Sequence, residues 1–145
     1  MPAPTTAGPQ VTVYLVPVVA QSLVVFDIER PVDLVGRWLP WTALPFEANP
    51  YEVASSLADT WCDVPMDDLR LVDVMSFPDA PGGWELALVF RAALAEPPVS
   101  GADRIAVHLA AGSLDAIGPF DPADLERWVR ADASTGPPSA ARLVF

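Results

Sequence analysis

Two hydrophobic periods run along this chain. Gln10–Val16 and Ser22–Ile28 are short runs rich in Val, Leu, Tyr and Phe, which predicts two strands joined around residues 17–21. Leu69–Phe77 and Trp84–Leu94 predict a second pair, separated by the turn signal Pro78-Asp79-Ala80-Pro81-Gly82-Gly83. Arg104–Leu109 predicts a further short strand. The helical period appears twice. Asn49-Pro50-Tyr51-Glu52 supplies an N-cap, a proline at the first helical position and a glutamate at the third, as in a capping box. Val53, Ala54, Leu57, Ala58 and Trp61 then share one face, with Glu52, Ser55, Ser56, Asp59 and Asp63 opposite. Asp121, Pro122 and Asp124 repeat the start signal ahead of Leu125, Trp128 and Val129. Strands before, between and around two helices predict an α/β protein, a mixed sheet with helices packed on its faces.

Length and composition narrow the reading. The 145 residues suit one domain with a single core, and 52% apolar against 19% charged residues is a globular balance. Residues 1–9 and 133–145 read as a flexible lead and tail around a domain at 10–132, because Pro, Ala, Thr, Gly and Ser dominate the lead and the start of the tail. The 19 Asp and Glu face only eight cations, all Arg, for a formal charge of −11. That balance excludes nonspecific nucleic-acid binding, which needs a basic surface, and docking on anionic membranes. No apolar stretch approaches the roughly 20 residues of a membrane span. Met1–Thr6 lacks the charged start and apolar run of a signal peptide, so a cytoplasmic location is expected. Cys62 and His108 each stand alone, which excludes an intrachain disulfide and a Cys/His zinc site. Cys62 is expected to be a small buried residue and His108 a structural one on its apolar strand.

The stretch from Gly36 to Val64 carries a resemblance. Trp38-Leu39-Pro40, then Glu47 shortly before the Pro50-started helix, resembles the Nudix superfamily, whose members enter their active-site loop through a Trp-x-Leu-Pro-Gly-Gly-like segment. The family motif reads Gly, five residues, Glu, seven residues, then Arg-Glu-U-x-Glu-Glu-x-Gly-U, with U a bulky aliphatic residue. Anchored on Glu47 it aligns without a gap: Trp41 takes the first Gly, Ser55 the Arg, Ser56 the first helix Glu and Leu57 the aliphatic position. Asp59 replaces the next Glu, Thr60 the one after it and Cys62 the second Gly, with Asp63 at the last aliphatic position and Val64 beside it. Downstream, Trp84–Leu94 resembles the family's core strand and Pro119–Leu125 the cap of its last helix, so the resemblance covers about residues 10–131. It implies a Nudix-type α/β/α sandwich with a central mixed sheet and two main helices.

The resemblance also implies a chemistry. Family members hydrolyse a nucleoside diphosphate linked to another group, using divalent cations to neutralise charge and generate the nucleophile. Mg²⁺ takes hard oxygen ligands in near-octahedral geometry, and carboxylates three and four apart on a helix share a face. Here the motif is degenerate, since Ser56 and Thr60 keep an oxygen without its charge and only Asp59 remains among the helix carboxylates. Two readings stand. In one, the chain is weakly active or non-hydrolytic and binds a nucleotide-like small molecule or a protein partner, with Mg²⁺ held weakly or not at all. In the other it is a divergent Mg²⁺-dependent hydrolase, with Glu47 and Asp59 catalytic and Asp59, Glu52 and Asp63 as metal ligands, unless those acids are an ordinary solvated helix face. Trp38 and Trp41 are candidates for an aromatic ligand platform, and Trp61 is expected in the core. The high apolar fraction also leaves room for a homo-oligomer.

Overall fold

The computed structural model describes residues 9–29, 36–79, 83–101 and 103–131. The predicted lead before Pro9, the tail from residue 133 and the Ala80-Pro81-Gly82 part of the predicted turn lie outside the described residues. The elements are β1 (Gln10–Val19), β2 (Ser22–Ile28), β3 (Gly36–Trp38), β4 (Trp41–Ala43), α1 (Pro50–Trp61), β5 (Met66–Asp79), β6 (Gly83–Leu94), β7 (Arg104–Ala110) and α2 (Pro122–Arg130). Every predicted strand and both helices are present. β3 and β4 are additions, in a segment whose sequence reads as a loop.

All seven strands join one mixed sheet, in which β1 pairs in parallel with β6 and the other pairings are antiparallel. β1 and β2 meet only at their turn, Val18 opposite Leu23 and Val19 opposite Ser22. The turn is tight, and Ala20 and Gln21 both take left-handed backbone angles, φ 47° and 68°. That pair of angles is the hairpin geometry whose twist matches the flanking strands. Beyond it the strands part, and residues 36–43 fill the fork: β3 pairs with Phe26–Ile28 of β2, and β4 with Thr12–Tyr14 of β1.

The fork explains a proline inside a strand. Pro17 pairs with Ala92 of β6 on one side of β1. Successive N–H groups of a strand point to opposite edges, and Leu15 N–H donates across the fork to Pro40 O at 2.9 Å. The Pro17 nitrogen therefore points the same way, into the fork between the β4 and β2 pairings, where a missing ladder donor is tolerated.

Both faces of the sheet are covered, which is why the strands read as nearly continuous apolar runs. Val13 and Leu15 of β1, Val24 and Phe26 of β2 and Phe90 and Ala92 of β6 pack on Ala54, Leu57 and Ala58 of α1. The alternate residues Val16, Val18, Leu23, Val25, Ala87 and Val89 pack with Leu125, Trp128 and Val129 of α2. The result is the α/β/α sandwich that the sequence led us to expect.

Both predicted caps form: Asn49 Oδ1 accepts from Tyr51 N at 2.9 Å, and Asp121 Oδ1 accepts from Asp124 N at 2.9 Å. One polar cluster had no sequence signal. Asp73, fully buried beside an irregularity in β5, accepts from Trp128 Nε1 at 3.1 Å, from Val74 N at 2.9 Å and from Arg127 Nη2. Burial opposes the Arg127 charge, but the hydrogen bonds to Asp124 and Asp73 outweigh it and hold the guanidinium pKa above its ordinary value. This network ties α2 to the edge of the sheet.

Candidate functional site

The filled fork sets up the site. β4 lies along β1, and Leu44 N–H extends that pairing by donating to Val11 O at 2.9 Å. The chain then turns: Ala48 N–H donates to Pro45 O at 3.1 Å, with Glu47 at φ 65°. A left-handed residue at the third place of such a turn is normally Gly, so a glutamate there is held against its preference by the surrounding turn and cap. Asn49 caps α1 immediately afterwards.

Between this loop and one flank of α1 runs a groove of about 560 Å³. Glu47 lines it from the turn and Trp41 from β4, while Glu52, Ser56 and Thr60 form a stripe along α1 at helical spacing. Val53 and Leu57 form its apolar side, and Trp61 closes the end. Its lining includes two carboxylates, two aromatic residues, three hydroxyls and one side-chain amide, a mixture of apolar wall and a few polar groups that suits a small-molecule site.

The predicted site residues divide between groove and surroundings. Glu47, Glu52 and Trp41 line the groove, with Ser56 and Thr60, the two replaced carboxylate positions. Trp38 is not part of the lining; its ring stands 6.1 Å from that of Trp41, tilted by 35°, and backs it from β3. Asp59 is exposed and does not line the groove. Asp63 lies past the end of α1 at φ 53° and borders a second cleft of about 260 Å³ with Trp61 and Arg104. Glu52 and Asp59 share a side of α1 but stand two turns apart, about 10 Å of helix rise. Among the described residues no group of three or more His, Cys, Asp or Glu is placed to hold a metal ion.

Three other expectations resolve. Cys62 is buried, and desolvation pushes its thiol up to about 12 against the opposing charge of Arg104, so it is a packing residue and not a nucleophile. His108 is exposed on β7 and takes no part in the core. Trp61 is half-buried and packs against the α1-side core: it meets Phe26 edge-on at 5.4 Å and carries the Arg104 guanidinium 4.5 Å from its ring centroid. Arg104 also donates to Thr60 O at 3.3 Å, a contact between β7 and α1 that no local pattern announces.

No protein-family model matches this chain, and no curated protein matches it in sequence. Solved structures do match. A MutT Nudix hydrolase from Burkholderia pseudomallei is 20% identical with a TM-score of 0.64, over 83% of this chain and 98% of that one. The NUDIX domain of Shewanella oneidensis NrtR, complexed with ADP ribose, is 15% identical with a TM-score of 0.64, over 86% of this chain and 88% of that one. A MutT/nudix family protein from Enterococcus faecalis is 17% identical with a TM-score of 0.58, over 74% of this chain. The match spans only 46% of the Enterococcus protein's length. At these identities the likeness is one of fold.

Proposed function

We propose that this Nudix-fold chain is a ligand-binding protein with little or no hydrolase activity, its ligand seated in the groove between the Trp41–Asn49 segment and α1. The observation that carries this reading is the stripe Glu52, Ser56, Thr60, in which hydroxyls occupy two positions that the family resemblance assigns to carboxylates. A Mg²⁺ site for pyrophosphate hydrolysis needs several hard, mostly anionic oxygens converging in near-octahedral geometry. The groove offers two exposed carboxylates, Glu47 and Glu52, and Asp59 stands outside it. That donor set does not fit the carboxylate-rich centre which the resemblance implies. The similar Shewanella domain, complexed with ADP ribose, supports a small molecule as the kind of ligand this fold takes.

Thermal melts with and without Mg²⁺ test the reading. The parent chain is expected to show no metal-dependent shift. The double variant Ser56→Glu, Thr60→Glu places carboxylates beside Glu52 and Asp59, and Mg²⁺ is expected to stabilise it by binding only the folded state. The gain would be about 2.7 kcal/mol once the metal stands a hundredfold above its dissociation constant. A parent chain stabilised as strongly as the variant would favour the metal-dependent hydrolase. A variant that gains nothing would show that positions 56 and 60 are not ligand positions.

A further inference from the structure

We propose that the groove takes an organic cation, a substituted ammonium ion, in preference to a diphosphate; this rests on the reading that the groove is the ligand site. Glu47 and Glu52 are the ionisable side chains in its lining, both exposed and both acidic, on a chain of formal charge −11. A phosphate group would need a positive partner there, and among the described residues no arginine lines the groove.

The six arginines among the described residues are engaged elsewhere. Arg37 is paired with Asp27, Arg70 with Asp68, Arg127 with Asp73 and Asp124, and Arg130 with Glu126. Arg91 donates to the last carbonyls of α2, at Trp128 and Val129. Arg104 stacks on Trp61 and donates to Thr60 O. Moving any of them into the groove would break a contact already made.

The walls suit the opposite charge. Trp41 and Trp61 line the groove along with the carboxylates, and an indole face attracts a cation through its quadrupole. Trp61 already does this with Arg104 from the neighbouring cleft. Trp38 stands next to Trp41, with its ring centroid 6.1 Å away. An alkylated ammonium spreads its charge over methyl or methylene groups. It can therefore lie against Trp41 and Val53 while offsetting the charge of Glu47 and Glu52, without the octahedral oxygen shell that Mg²⁺ demands. At about 560 Å³ the groove holds such a head group with room for a substituent.

The test uses the whole chain and tryptophan fluorescence, backed by calorimetry, at low ionic strength. The probes are choline, the uncharged alcohol of the same shape 3,3-dimethylbutan-1-ol, and ADP ribose with and without Mg²⁺. Choline is expected to bind saturably, and the alcohol at least about tenfold more weakly, since it forfeits both the aromatic and the carboxylate attraction. Glu52→Gln should weaken choline binding by about two- to fivefold, as expected of an exposed charge pair. Trp41→Ala should weaken it by about three- to thirtyfold. Salt at 0.5 M should weaken it further by screening. Equal binding of choline and the alcohol would overturn the proposal, because charge would not be read. So would ADP ribose binding more tightly than choline, although either result would leave the groove standing as a ligand site. Absence of choline binding at any accessible concentration would overturn the cation assignment, whereas metal-dependent turnover would overturn the underlying reading.

Discussion

Replacing Trp128 with Ala is expected to cost about 3–5 kcal/mol of stability, the range for truncating a large buried aromatic residue. Its ring is 1% exposed, lies edge-on to Phe120 at a centroid distance of 5.2 Å and fills the layer between the sheet and α2. The substitution leaves a cavity and also removes one of the donors to the buried Asp73 carboxylate. Against a total stability of about 5–15 kcal/mol, such a loss brings the chain close to unfolding at ambient temperature. Trp128→Phe separates the two effects. It keeps most of the ring and deletes the Nε1–H, so it should cost about 1–3 kcal/mol for the lost partner of a buried acceptor. Urea denaturation of the three proteins measures both. An Ala variant within 1 kcal/mol of the parent would mean that α2 does not pack on the sheet as described.

The second large effect belongs to the opposite layer. Leu57→Ala should cost about 2–5 kcal/mol, since its side chain is 5% exposed and sits among Val13, Leu15 and Phe90. Val53, one turn earlier on α1, is only half-buried, so truncating it should cost clearly less. The same urea titration applies, and equal losses at the two positions would contradict the orientation assigned to α1. That orientation also decides which residues face the groove, so the comparison bears on the site as well as on the core.

How far the sequence carries the reader differs by element. The caps were legible because Asn49-Pro50 and Asp121-Pro122 act locally: a side chain bonds an N–H two or three residues on, and the proline follows. β1, β2 and β6 were legible as apolar runs because a sheet buried on both faces asks for apolar residues at every position. β3 and β4 were not. Three residues each leave no period to detect, and they become strands only because β1 and β2 splay apart and need partners at the fork. Asp73 was invisible for a similar reason, since its partners Arg127 and Trp128 lie more than fifty residues away in sequence.

The groove was half legible. The alignment anchored on Glu47 brought attention to Glu47, Trp41, Ser56 and Thr60, which line one groove. Helical period alone grouped Glu52 with Asp59 and Asp63, yet period reports only the side of a helix and not the distance along it. It also placed Trp61 with the core, against which the ring does pack, but not the Arg104 guanidinium from β7 that lies over it. The Arg104–Thr60 hydrogen bond beside it spans forty-four residues in sequence, and neither contact could be read from α1 itself.

Phosphate release from a panel of nucleoside diphosphate derivatives, measured with Mg²⁺ or Mn²⁺ and repeated with EDTA, tests the central claim most directly. A ligand-binding protein without a carboxylate-rich metal centre should give turnover no greater than the buffer, with EDTA making no difference. Robust turnover that EDTA abolishes, and that is lost in Glu47→Gln, would contradict this account and identify the chain as a metal-dependent hydrolase.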